Sequence, residues 1–326
     1  MMMDRKIMSI GLLLAICLAL GCAAGTAEEN GLERVWYDLE ENGGAVITSA
    51  RWNGDSLILP AEIDGHPVAG IAAFAFDRSK HLRRLVLPEG LTWIGESAFW
   101  ECAELEEVVL PETLTQIGTN AFRKCPRLAD VVLPEGLLEI GVLAFVDCVS
   151  IPAVRIPASV ERVGDSAFYG CTALTEAVFS GNACMLGEAV FSGCASLKRL
   201  ILPEELTEIP GYMCYHCTAL PEIWIPEKVR SIGRAAFSGC TGLTEVVIPS
   251  SVLALDGTVF YDCTGLKSLT IPRSVREIGV AFVHAWSRTE RRDAPLPQVV
   301  VIVEEGSYAE SLCREEGVPF RTLPAE

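Results

Sequence analysis

The chain has 326 residues, half of them hydrophobic and 21% charged, with a formal net charge of −17. That composition carries ample apolar material for a packed core and excludes an intrinsically disordered chain. The acidic balance also argues against a nucleic-acid binder, because the phosphate backbone rewards Lys and Arg.

Residues 1–27 read as an export signal. Arg5 and Lys6 precede a mostly apolar stretch running from Ile7 to Leu20. A membrane-crossing helix needs about 20 apolar residues, so this shorter stretch fits the core of a signal peptide. Two cleavage readings compete. Leu18-Ala19-Leu20-Gly21-Cys22 resembles a bacterial lipoprotein box, which ends the signal at Gly21 and makes Cys22 the lipidated first residue. Leu18 and Ala19 depart from the usual order of that box. The other reading is ordinary signal-peptidase cleavage after Ala24 or Ala27. The lipoprotein is the favoured one. Under either, the protein is expected outside the cell or on its surface, touching membrane only through an N-terminal lipid.

Residues 33–58 come next. Val35-Trp36-Tyr37 and Ala45-Val46-Ile47-Thr48 flank Asn42-Gly43-Gly44, a hairpin signal expected to form an N-terminal cap.

A single frame then governs residues 59–283. Pro88, Pro111, Pro134, Pro157, Pro203, Pro226, Pro249 and Pro272 lie on a 23-residue grid, with Ser180 in the one gap. Cys102, Cys125, Cys148, Cys171, Cys194, Cys217, Cys240 and Cys263 follow the same spacing. So do Phe99, Phe122, Phe145, Phe168, Phe191, Phe237 and Phe260, with Cys214 where a Phe is missing. Each slot has a physical role. Val108 and Leu110 alternate with Glu107 and Val109, the period-2 mark of a strand with one buried face. Pro111, which has no N–H, suits the strand's exit. Gly118 marks a sharp corner needing positive φ or a close backbone approach. Ala121 and Phe122 then turn inward, and Cys125 and Leu128 complete the inner layer. One coil cannot bury its apolar face alone, but stacked coils make a continuous core. The expected fold is therefore a repeat solenoid, a long first repeat plus nine 23-residue units. A parallel β-sheet is expected on one face, and irregular segments and short helical turns on the other.

The frame falters near Phe282, one residue early for its slot. Residues 284–298, with Trp286, Arg288, Arg291 and Arg292, read as an exposed loop. Residues 299–326 read as a C-terminal cap, a strand from Val299 to Val303 and a helix from Ser307 to Glu316.

The unit Leu105-x-x-Val108-x-Leu110-Pro111-x-x-Leu114-x-x-Ile117-Gly118-x-x-Ala121-Phe122-x-x-Cys125 resembles the BspA-like (Treponema pallidum type) leucine-rich repeats of bacterial surface proteins. Leu59 to Phe76 resembles that family's longer first repeat, and Gly306 to Phe320 resembles its C-terminal ending. The resemblance implies a non-catalytic leucine-rich-repeat protein that adheres to a protein or glycan outside the cell. Two units depart from the pattern: one lacks its proline at Ser180, and one has Ile209-Pro210 and Met213-Cys214 for Ile-Gly and Ala-Phe.

Candidate sites follow from the frame. One outward strand row is Val86, Val109, Val132, Arg155, Val178, Ile201, Trp224, Val247 and Thr270. Beside it runs Arg84, Glu107, Asp130, Ala153, Glu176, Arg199, Glu222, Glu245 and Ser268. β-propensity accounts for branched residues on a strand; an exposed apolar stripe with Trp224 in it marks a binding face. The cysteine ladder reads as buried thiols in a structural slot, not as a disulfide chain. Cys184, Cys214 and Cys313 lie off it. Cys214-Tyr215-His216-Cys217 mimics a metal knuckle without a second pair, so no metal or other cofactor is expected. None of the four histidines sits in a catalytic motif, and catalysis is not expected. Two alternatives stay open: a passive, self-associating envelope scaffold, and an exported carbohydrate-active enzyme with a carboxylate pair.

Overall fold

A computed structural model describes residues 6–9, 32–287 and 292–324, which fall into two compact units, 1–151 and 152–326. Cys22 lies outside the described residues.

Unit 1 opens with three antiparallel strands. β1 (Lys6–Ser9) pairs with β2 (Leu32–Leu39), and β2 pairs with β3 (Ala45–Trp52). β1 falls within the stretch read as an export signal. The β2–β3 turn closes where the sequence places it: Gly43 takes φ 87°, and Asn42 Oδ1 accepts the Gly44 N–H at 2.8 Å. Val35 and Tyr37 are buried while Arg34 and Trp36 face the other way, the alternation of a strand with one covered face. β3 then pairs in parallel with His66–Ile71, Ile47 opposite Ile71, so the hairpin caps the coils that follow.

The solenoid begins before residue 59. β4 (Ser56–Ile58) pairs in parallel with Arg84–Val86 and is the first strand of the repeat face, not the end of the cap. Ser56 lies opposite Arg84, five residues more than the repeat length, and a small hairpin between Glu62–Ile63 and His66–Ile71 absorbs the excess. From there the frame is strict: Leu85 faces Val108, and Val108 faces Val131.

A second parallel ladder runs through each coil, on residues that carry no strand pattern in the sequence. In unit 1 Trp93–Ile94, Gln116–Ile117 and Glu139–Ile140 pair in register. Two-residue strands leave no period-2 pattern to read. The corner glycines precede a pair of left-handed residues. Gly118 itself has no positive φ; a Cβ there would lie 2.6 Å from the Ile94 carbonyl oxygen. Close approach is its reason, and Asn120 (φ 56°) and Lys124 (φ 58°) make the reversals. These turn residues donate N–H bonds to the next coil, Asn120 to Val142 O at 2.9 Å and Lys124 to Val146 O at 2.7 Å.

Inside, the rings stack. Phe76, Phe99, Phe122 and Phe145 are 5.3–5.4 Å apart between successive centroids and nearly parallel. Burying each ring is worth about 1.5–3 kcal/mol, and each stacked pair about 0.5–1.5 kcal/mol more.

Unit 2 repeats the plan. Ala153–Ile156, Glu176–Phe179 and Arg199–Ile201 form one parallel sheet. Glu245–Val247, Ser268–Ile271, Val300–Glu304 and Phe320–Leu323 form another. Between them the coil of Glu222 to Ile225 is not a strand. Pro221 immediately precedes it. The counterparts Thr175, Lys198 and Thr244 each donate an N–H to the residue 23 positions back, at 2.8, 2.8 and 3.2 Å, and Pro221 has no N–H to give. Pro152 stands in the same slot ahead of the paired strand Ala153–Ile156, so the missing bond weakens the ladder without by itself abolishing a strand.

The end of the repeat differs from expectation in two ways. Backbone bonds stay in frame past Phe282: Phe260 N donates to Phe282 O at 2.8 Å and Asp262 N to His284 O at 2.7 Å. Phe282 therefore occupies the alanine slot and Val283 the phenylalanine slot, both fully buried. Residues 284–298 are not simply a loop, because His284–Ser287 and Arg292–Pro295 pair as an antiparallel hairpin. Pairing satisfies backbone groups that a loop leaves to water. Arg288 and Arg291 lie outside the described residues. After Val300–Glu304 comes the helix α1 (Tyr308–Glu316), capped by Ser307 Oγ on the Glu310 N–H and ended by Gly317 at φ 69°. It is the one α-helix among the described residues, none of which forms a helix long and apolar enough to cross a membrane.

Candidate binding surface

Both outward rows sit on the repeat face, where each strand turns one residue in and the next out. In unit 1 Leu85 and Val108 are buried while Val109 is 39% and Val132 75% exposed; Val86 is half-buried. In unit 2 Trp224 is 54% and Val247 56% exposed, Arg155 is exposed, and Val178, Ile201 and Thr270 are half-buried. Each unit thus presents an apolar stripe broken by few charges.

The acidic row divides by partner. Glu107 accepts from Arg84 Nε at 2.9 Å, and Glu176 is paired with Arg199, each across one repeat. Such exposed pairs are worth little, about 0–1 kcal/mol. Glu222 and Glu245 are exposed and have no ion-pair partner among the described residues. They flank Trp224 and Val247. A shallow cleft there is bounded by Ile201, Trp224, Val247 and the carboxylates Glu222, Glu227 and Glu245.

Strand propensity does not account for Trp224. The residue belongs to a coil that forms no strand, yet its indole stands in the same outward row as the valines. A large aromatic ring on a segment with no strand to favour it has no local structural reason to be there.

The cysteine ladder is structural. Cys102, Cys125 and Cys148 in unit 1 are fully buried, and their Sγ–H groups donate to Phe76 O, Phe99 O and Phe122 O at 3.3, 3.2 and 3.1 Å. In unit 2 Cys194, Cys217 and Cys263 do the same toward Phe168 O, Phe191 O and Phe237 O, and Cys240 toward Cys214 O. Cys171 is buried in the same slot. Burial in an apolar interior pushes the thiols of Cys194, Cys217 and Cys240 well up. All eleven cysteines of the described residues are free thiols. Cys214 is buried in the ring slot and His216 is exposed, and no metal-holding cluster of His, Cys, Asp and Glu occurs among the described residues.

These thiols are expected to differ sharply in reactivity. Cys184 alone of the eleven is partly exposed, with its thiol pushed up to about 11 by partial burial. The thiolate is the nucleophile, so alkylation of native protein by iodoacetamide should label Cys184 with a rate rising about tenfold per pH unit between pH 7 and 10. Peptide mapping should find the other ten labelled only in denaturant. Rapid labelling of Cys125 in the native state would contradict its placement.

Comparison with known proteins agrees with this architecture. A profile for the BspA type leucine rich repeat region, in six copies, matches residues 61–175 and 162–287. A leucine-rich repeat protein from Bacteroides ovatus ATCC 8483 is similar at 28% identity and a TM-score of 0.70, over 82% of this chain and 69% of that one. The leucine rich repeat protein of T. pallidum aligns at 22% identity over 89% of this chain and 96% of that one, with a TM-score of 0.35. A leucine rich cell surface protein from Faecalibacterium prausnitzii A2-165 aligns at 21% identity over 78% and 94%, with a TM-score of 0.34. The last two superpose too loosely to carry an argument. Among curated proteins nothing matches.

Proposed function

The chain belongs to the BspA-type leucine-rich-repeat family, and from that premise we propose that it is an exported, non-catalytic binding protein of the cell surface or exterior. Family membership supports the surface location. The segment 1–27, with Cys22 as the lipid-bearing residue, supports export and anchorage. The ligand is a protein or glycan outside the cell, held on the outward rows of the repeat face.

The observation that carries this reading is Trp224, exposed on a coil that has left the ladder and flanked by unpaired carboxylates. Aromatic residues dominate interface hot spots, where truncation costs about 2 kcal/mol or more. Fluorescently labelled protein titrated onto fixed bacterial and epithelial cells should show saturable binding. Trp224→Ser should weaken that binding at least about tenfold, equivalent to about 1.4 kcal/mol, with the melting temperature unchanged because the side chain is exposed. Equal titration curves for the two proteins would remove Trp224 from the binding surface.

A further inference from the structure

Unit 1 holds a second feature, apart from the outward rows. An open groove of about 1210 Å³ lies where β2 and β3 meet the loops of the first coils. Trp36, Arg51, Trp52, Lys80, His81 and Arg83 line it. Its charge runs against the rest of the molecule. In a chain of net charge −17, the groove gathers three cationic side chains and a histidine against two acids, Asp55 and Glu104. Both acids are already engaged: Asp55 lies 4.0 Å from Arg83, and Glu104 is paired with Arg127. Arg83 is also held, donating to Glu106 at 2.8 and 3.0 Å. Arg51 and Lys80 are exposed and have no carboxylate partner among the described residues. The groove therefore carries two uncommitted cations.

The aromatic part of the lining narrows what those cations serve. Trp36 and Trp52 are half-buried, and each lies against a neighbouring side chain. Arg34 lies 5.8 Å from the Trp36 ring, and Phe76 meets Trp52 edge-on at 6.1 Å. Two half-buried indoles beside free cations suit a ligand with flat apolar faces and anionic substituents on one body. A sugar ring meets that description: its axial C–H face packs on indole, and a carboxylate or sulfate accepts from guanidinium and ammonium. An acidic peptide offers the charge without the flat apolar face. The groove is also larger than the roughly 300–1,000 Å³ of a small-molecule pocket, and its open form admits the interior of a polymer. We propose that this groove binds an acidic polysaccharide, with Arg51 and Lys80 on its carboxylate or sulfate groups and Trp36 and Trp52 against its rings.

The test titrates the full chain at low salt with dextran sulfate, polygalacturonate, neutral dextran and polyglutamate, followed by tryptophan fluorescence and calorimetry. The expected result is saturable binding of dextran sulfate, polygalacturonate or both, weakening as salt rises, with no binding of dextran. A preference between the two charged glycans identifies sulfate or carboxylate as the group recognised. Arg51→Glu and Lys80→Glu should each weaken binding at least about tenfold without moving the melting temperature, since both side chains are exposed. Trp224→Ser should leave it unchanged. Polyglutamate binding as tight as either glycan would reassign the groove to acidic peptides. Affinity unaltered in both charge-reversal variants, or no binding of either charged glycan, would overturn the proposal.

Discussion

Phe122→Asp is expected to abolish cooperative folding of the coils around it at pH 7. Phe122 is fully buried, with Phe99 and Phe145 stacked on its two faces at 5.3 and 5.4 Å. Deleting such a ring costs about 3–5 kcal/mol for Phe→Ala through lost burial and the residual cavity. The aspartate adds the cost of a carboxylate buried between two apolar rings. The sum is comparable to the whole stability of an ordinary domain, about 5–15 kcal/mol. In a stacked array each coil also leans on its neighbours, so losing one coil removes two interfaces. The pH dependence has a definite sign. Burial raises the folded-state pKa of the new carboxyl above its unfolded value of about 3.9, so the folded state binds the proton more tightly. Stability of the variant therefore falls as pH rises through that interval, and it should be less damaged at pH 4 than at pH 7. Urea melts followed by circular dichroism at both pH values check this, with Phe122→Leu as the mild comparison. A wild-type melt for Phe122→Asp would mean that the rings face outward and the frame is inverted.

That prediction rests on features legible in the sequence. The Phe and Cys grids could be read because one residue type recurs at one spacing, and a buried slot accepts few types. The outward rows were readable for the converse reason: once inward positions are fixed, a strand's alternation fixes the outward ones. What escaped was made of short or singular elements. The second ladder, Gln116–Ile117 and its equivalents, is two residues wide and has no period. β4 escapes the repeat frame because Ser56 stands opposite Arg84 instead of at the repeat spacing, and only the small hairpin of Glu62–Ile63 with His66–Ile71 accounts for the five extra residues. The hairpin of His284–Ser287 with Arg292–Pro295 carries no Asn-Gly or Asp-Gly signal at its turn. The cationic groove joins Arg51 on β3 to Lys80 in the turn of the first coil, a proximity that no local motif records. Pro221 and Pro152 are the instructive pair: both lack an N–H in the same slot, yet Ala153–Ile156 is a paired strand and residues 222–225 are not, a difference that the slot alone does not predict.

The second large effect concerns the two coils that lack a phenylalanine in the ring slot. In the coil of Met213-Cys214 the backbone keeps its frame: Phe191 N donates to Met213 O at 2.9 Å and Cys214 N to Ala236 O at 2.7 Å. The side chains have exchanged roles. The alanine slot holds Met213, the ring slot holds Cys214, and both are fully buried. Phe282-Val283 makes the same exchange, a large residue in the small slot and a smaller one in the ring slot. The summed volume of Met213 and Cys214 stays close to that of an alanine and a phenylalanine, as close packing requires. Two single substitutions should therefore hurt for opposite reasons. Cys214→Phe restores the ring but crowds it against Met213, an overpacking cost of about 1–3 kcal/mol. Met213→Ala leaves a cavity beside a small thiol and costs about 2–5 kcal/mol. Together they rebuild the Ala-Phe coil found in most repeats and fill the gap between Phe191 and Phe237 in the ring column. The double variant should be more stable than either single one, with a favourable coupling of about 1–3 kcal/mol in a double-mutant cycle from urea melts. Additive losses would show that the two slots do not share one volume, and that this coil departs from the repeat for a reason other than packing.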